Sequence, residues 1–363
     1  MNKNKQLVSL ITTYKQSDTE FESYTKMNNM RGLKLLSGKI ALLLVGLVVS
    51  LQSMAQQEVM YSQYMFNTLA INPSYAGSRD VLSLTALGRY QWIGVPGSPT
   101  TYSFTLDMPV KNEKMGIGLM AYSDAIGVSR TTGINIPYAY RVKLGSKTTL
   151  ALGAQLGLDH ISNNLSNVAN VASGDEVFDG TSDVNKLFPN AGLGIFISND
   201  RSYFGFSVPK IIENNLSQYE IGGEQFITKQ KRHYFAMMGF VMGKGNVKVK
   251  PSMMFRYTKG APLGIDGNIN IWLRDKIAFG VSARKSQATL SGQEVMDAIV
   301  GIFELQLTPQ LRVGYSYDYN TTTLNNRNTE KFSNRLTGTP THEGLLRYEF
   351  GYGKDKILTP RYF

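Results

Sequence analysis

The chain has 363 residues, 38 of them Lys or Arg and 27 Asp or Glu, with no Cys, 35 Gly, 20 Tyr and 17 Phe. A hydrophobic share of 42% excludes a disordered chain, and the absence of Cys excludes disulfide scaffolds, thiolate metal sites and Cys nucleophiles. Charged residues make up 18%, below the roughly 25% of ordinary globular domains.

At the start of the chain, Arg31, Lys34 and Lys39 precede the apolar run Ile40 to Leu51, and Ser53-Met54-Ala55 comes directly after it. Basic, apolar and small-x-small regions in that order predict a secretory signal peptide cleaved after Ala55. The run of 12 residues is too short for a spanning helix, which needs about 20. Residues 1 to 26 are polar and lack a periodic apolar face, so either translation begins at Met27 or Met30, or the basic region is unusually long. Removal of 1 to 55 leaves 31 basic and 24 acidic residues, a net charge of +7.

Residues 56–79 differ in pattern from the rest of the mature chain. Gln63-Tyr64-Met65-Phe66-Asn67 and Ile71-Asn72-Pro73-Ser74-Tyr75-Ala76-Gly77-Ser78 combine aromatics with a turn sequence. Pro73 disfavours helical φ/ψ at Asn72, and Gly77 permits a left-handed exit. This segment is expected to be a plug, a docking element for a periplasmic partner, or a simple lead-in.

From residue 80 to 353 nearly every segment alternates apolar and polar residues, as in Leu311, Val313, Tyr315, Tyr317 and Tyr319 against Arg312, Gly314, Ser316 and Asp318. Period two is the mark of strands with two chemically different faces. Fourteen strands are expected, near 80–91, 100–110, 114–124, 130–143, 147–160, 189–198, 201–209, 232–243, 246–258, 264–273, 276–286, 294–307, 310–319 and 342–352. Connections after even-numbered strands are short and turn-like. Those after odd-numbered strands are longer, the longest at 161–188, 210–231 and 320–341.

An even count of such strands, with tight turns at one end and long loops at the other, predicts an all-β, transmembrane up-and-down antiparallel barrel of the outer membrane. Closure is a consequence of the solvent, because lipid offers no partners to an open sheet edge. Both termini would then lie at the tight-turn, periplasmic end, with residues 354–363 as a C-terminal tail. A soluble β-sandwich also alternates, but the export signal and the regular loop alternation speak against it.

No motif for chemistry emerges. The histidines His160, His233 and His342 are scattered, and adjacent His342 and Glu343 point to opposite faces of a strand. No nucleophile elbow or Walker-type loop occurs, so no enzyme, cofactor or metal site is expected. Gly116, Gly118, Gly192 and Gly194 lie within strands, where they relieve crowding on a curved wall. Lys248, Lys250, Arg256, Arg312 and Arg347 are read as lumen residues partnered by Asp107, Asp318, Glu343 or Glu349. They are not gathered into one nucleic-acid-binding run. A porin is the alternative from another class, since fourteen strands can enclose an aqueous lumen. A lipid-cleaving enzyme would need a Ser-His pair on the outer wall.

The blocks Gln63 to Asn67, Ile71 to Ser78 and Gly88 to Pro99 closely resemble the start of the PorP/SprF family associated with type IX secretion. The likeness continues through Met115-Gly116-Ile117-Gly118-Leu119, Arg130 to Asn135, Tyr138-Ala139-Tyr140-Arg141, His342-Glu343 and Pro360-Arg361-Tyr362-Phe363. The resemblance implies a non-enzymatic barrel in outer-membrane lipid, without cofactor and without nucleic acid. Its implied partners are a secreted adhesin with a type B C-terminal domain and the periplasmic ring and peptidoglycan-binding components of the apparatus. The long loops would hold the exported domain. Tyr64, Phe66, Asn67, Asn72, Pro73, Tyr75, Gly77, Gln91 and Trp92 would form the docking surface for partners. The terminal Phe363 resembles a signal for barrel insertion.

Overall fold

The computed structural model describes residues 58–110, 113–164, 184–221, 224–285, 297–321 and 339–350. The expected signal segment, the centres of the loops at 161–188 and 320–341, and the C-terminal tail lie outside the described residues.

Fourteen antiparallel strands close into a barrel. The first half comprises β1 (Ser83–Tyr90), β2 (Thr100–Val110), β3 (Met115–Ile126), β4 (Ser129–Lys143), β5 (Thr149–Asn163), β6 (Val184–Ser198) and β7 (Ser202–Val208). A small hairpin comes next, β8 (Asn215–Ile221) and β9 (Glu224–Lys229), outside the barrel sheet. The second half comprises β10 (His233–Phe240), β11 (Val247–Thr258), β12 (Gly264–Leu273), β13 (Ile277–Lys285), β14 (Ala298–Gln306), β15 (Leu311–Asn320) and β16 (Pro340–Glu349). Each barrel strand pairs with its neighbour in barrel order, and β1 closes the ring on β16, with Ser83 opposite Glu349 and Tyr90 opposite His342.

All fourteen expected strands are present, with the period-two pattern translated directly into two faces. On β15, Gly314, Ser316 and Asp318 are buried while Tyr315, Tyr317 and Tyr319 are exposed on the outside. On β13, Ser282 and Arg284 point in and Phe279 and Val281 point out. The wall is thus apolar outside and polar inside, as a strand between lipid and a filled lumen requires. Two features differ from expectation. β6 begins at Val184, ahead of 189, and the connection at 210–231 holds the β8–β9 hairpin.

The lumen is occupied by residues 58–82. From Glu58, beside the first residue of β10, the chain descends through short 3-10 turns at Thr68–Ala70 and Pro73–Tyr75. It reaches the tight-turn end at Gly77 and Arg79 before turning back into β1. The N-terminal end of the described chain therefore lies at the long-loop end, which corrects the expectation that both termini sit at the tight-turn end. Strand parity locates the ends of the barrel, but a segment that crosses the lumen puts residue 58 at the end opposite to the start of β1. The internal core is built between this segment and the wall. Tyr61, Tyr64, Phe66, Leu69, Ile71 and Tyr75 pack against wall residues including Phe196, Met237, Met254, Trp272 and Leu345.

Candidate functional site

Residues 58–82 are tied to the wall at three levels, each using backbone or side-chain groups that would otherwise be buried without partners. At the long-loop level, Lys210 reaches from the connection after β7. Its Nζ lies 3.1 Å from Glu58 Oε1, 2.9 Å from Asp159 Oδ2 and 2.8 Å from the Tyr122 hydroxyl. Burial alone works against the Lys210 ammonium. Glu58, Tyr122 and Asp159 outweigh it and hold the pKa well above the ordinary lysine value. The Glu58 amide donates to His233 Nε2 at 3.3 Å. A small side cavity, bordered by Tyr122, Asn135, Gln155 and Lys210, remains next to this anchor.

At the middle level, both carboxylate oxygens of Glu343 accept backbone amides of the segment, from Gln63 at 2.7 Å and Ser62 at 2.9 Å. Ser62 Oγ donates to Asp318 at 2.6 Å and accepts from Arg89 at 2.6 Å and Arg284 at 3.1 Å. Arg89 also pairs with Asp318 at 2.8 Å and Glu343 at 2.9 Å, and Arg284 with Asp266 at 3.0 Å. Arg89, Asp318 and Glu343 are each at most 2% exposed, so these charges are stable there only as a set. They come from β1, β15 and β16, so the segment is held across the seam where the first strand meets the last.

At the tight-turn level, Asn72 caps the second 3-10 turn by accepting from the Ser74 amide at 3.0 Å, and donates to Ile195 O at 3.0 Å. Gly77 has φ +66°, the left-handed exit that the sequence suggested, and its amide donates to Asp107 Oδ2 at 2.6 Å. Arg141 donates to Ala76 O, and Arg79 pairs with Glu349 at 2.6 Å. Tyr75 meets Phe196 edge-on at 5.4 Å, and Phe66 meets Trp272 at 6.5 Å.

The wall is carved to receive this segment. A Cβ on Gly116 would fall 1.9 Å from Ala76 O, one on Gly153 2.2 Å from Ser74 N, and one on Gly194 2.1 Å from Asn72 Oδ1. The strand glycines therefore make room for the segment inside, Gly116 for the backbone of Ala76 and Gly194 for the side chains of Asn72 and Pro73, a more specific role than relief of curvature.

The nine residues expected at a partner-docking surface divide in two. Tyr64, Phe66, Asn67, Asn72, Pro73, Tyr75 and Gly77 are buried in the lumen. Their side chains, and for Gly77 the backbone amide, meet the wall, and the plug is the alternative that their positions support. Gln91 and Trp92 lie at the opposite, long-loop rim, where the Trp92 amide donates to Thr341 Oγ1 at 3.2 Å. The inward reading of Arg256 and Arg347 holds, and the charge partners differ from expectation. Arg312 pairs with Glu304 at 3.7 Å and Lys248 with Asp275 at 2.7 Å, while Arg89 and Arg284 take Asp318. Sequence reading missed Ser62, Arg89, Lys210 and Gly153. A run of inward strand glycines opposite an aperiodic, aromatic segment was the available signal. Among the described residues no cluster of three or more His, Asp or Glu could hold a metal ion.

No curated protein matches the chain in sequence. Solved structures similar to it include the Pseudomonas putida toluene transporter TodX, 9% identical over 78% of this chain and 94% of that one, TM-score 0.43. The Acinetobacter baumannii outer membrane protein Omp33 is 11% identical over 74% and 98%, TM-score 0.39. A Pseudomonas aeruginosa FadL homologue is 12% identical over 75% and 89%, TM-score 0.43. The family model described as type IX secretion system membrane protein PorP/SprF matches residues 53–334.

Proposed function

This chain belongs to the PorP/SprF family of type IX secretion system membrane proteins, and from that premise we propose that it is a non-enzymatic, plugged barrel of the outer membrane. It serves as an anchor through which an exported adhesin with a type B C-terminal domain is secreted and retained at the surface, with the periplasmic ring and peptidoglycan-binding components as its partners on the other side. The observation that carries this reading is the occupied lumen. A buried segment held at three levels by ion pairs and amide bonds occupies the lumen, and that favours a holding role over a conducting one. The sidedness of the long connections supports placing the adhesin contact at the end that bears 161–188, 210–231 and 320–341.

The reading is tested in two arms. Purified protein in a planar bilayer is expected to be electrically silent, and a steady open-channel current would return the porin alternative. Deletion of residues 165–183, between β5 and β6, in cells is expected to release the adhesin into the medium while the barrel stays in the membrane. Adhesin that remains on the cell surface at its normal level would overturn the assignment of that loop.

A further inference from the structure

The short turns carry charge out of proportion to their length. Among the described residues, Lys114 stands beside Glu113 after β2, Lys147 lies in the turn after β4, and Arg201 succeeds Asp200 after β6. Lys244 lies in the turn after β10, and Arg274 and Lys276 bracket Asp275 after β12. All six of these cations are exposed, against three carboxylates among the described turn residues, and Asp275 is already claimed by Lys248 at 2.7 Å. The uncharged turn Leu307–Gln310 is the exception among the six short turns of the barrel.

Their depth is set by their neighbours. Leu144 donates its amide to Thr148, next to Lys147, Met242 lies two residues before Lys244, and Leu273 directly precedes Arg274, with all three apolar side chains exposed on the outside. With a rise of about 3.3 Å per residue, these cations stand within about 7 Å of the hydrocarbon-facing band. A headgroup layer is about 5–7 Å deep on each side of the apolar core.

We propose that this rim binds the phosphates of anionic phospholipids in the leaflet at the tight-turn end. The cations are spread over five turns around the closed sheet, so the rim presents positive charge in every lateral direction. Lipid is the partner that surrounds a barrel. An acidic protein would be met better by cations gathered on one side.

The test places the full chain in nanodiscs containing equal parts of phosphatidylglycerol and phosphatidylcholine and measures the lipid retained on gentle detergent extraction. Wild type is expected to enrich phosphatidylglycerol about threefold or more. The enrichment should fall to parity in about 1 M salt, where the screening length is about 3 Å. It should also fall to parity in a K114Q/K147Q/K244Q/K276Q variant whose folding is verified by heat-modifiable gel mobility. Parity in wild type overturns the proposal, as does enrichment unchanged in the variant. Parity for lipid together with salt-sensitive binding of polyglutamate overturns it in favour of an acidic protein. No cargo enters the measurement, so its outcome is independent of the adhesin assignment.

Discussion

At the scale of single residues, Glu343 does the most to join segment and wall. It accepts two backbone amides of the segment and one bond from Arg89, and its own side chain is fully buried. Truncation leaves Arg89 with one carboxylate, Asp318, and strands two buried amides. Removal of one partner of a buried ion pair costs about 3–5 kcal/mol. Glu343→Ala is therefore expected to lower unfolding stability in chemical denaturation by about that amount, while Glu113→Ala in an exposed turn should stay within about 0.5 kcal/mol. A Glu343→Ala loss as small as that of Glu113→Ala would mean that the segment is not held by this carboxylate. The sequence placed Glu343 on the inward face correctly. It did not reveal that the main partners are backbone amides some 280 positions away, because no residue type marks a carboxylate that caps a loop.

At the scale of elements, the barrel strands were legible because each has lipid on one face and polar contacts on the other, which writes a period of two into the chain. The inner segment lacked such a signature. It is surrounded on all sides, so its aromatics and polar residues keep to no period, and only the turn chemistry of Pro73 and Gly77 was readable. The β8–β9 hairpin escaped for another reason, because its seven- and six-residue strands pair with each other as a separate sheet and take no place in the barrel. The fit between segment and wall predicts a reversal of the usual glycine rule. In a strand interior, Gly→Ala ordinarily gains roughly 0.5–1 kcal/mol. Gly267→Ala, where a Cβ meets open space, should obey that rule, whereas Gly153→Ala should destabilise by about 1–3 kcal/mol through contact with the backbone of Pro73 and Ser74. Thermal transitions of the two variants in the same detergent decide the matter, and equal shifts would show that the segment yields without cost.

At the scale of the whole molecule, the crossing of the lumen puts Glu58 at the end opposite to Arg79. The chain has no Cys, which allows that direction to be read with single introduced thiols. Asn164 is exposed at the long-loop end and Lys147 at the tight-turn end. A membrane-impermeant thiol reagent applied outside intact cells is expected to label N164C and leave K147C untouched. It should label E58C, partly exposed, more slowly than N164C but with the same sidedness. Labelling of E58C only after the outer membrane is opened would reverse the direction of the segment.

The seam between β1 and β16 has a consequence for how such a barrel is made. Ser62 and Gln63 are gripped at once by Arg89 on the first strand, Glu343 on the last and Asp318 beside it. The segment is covalently continuous with β1, and in the closed ring it crosses the lumen from Glu58 to Arg79. It must therefore be in place before the final pairing, so the first and last strands zip together over an internal template. Assembly then has an order in time, in which packing of the contents precedes closure of the container.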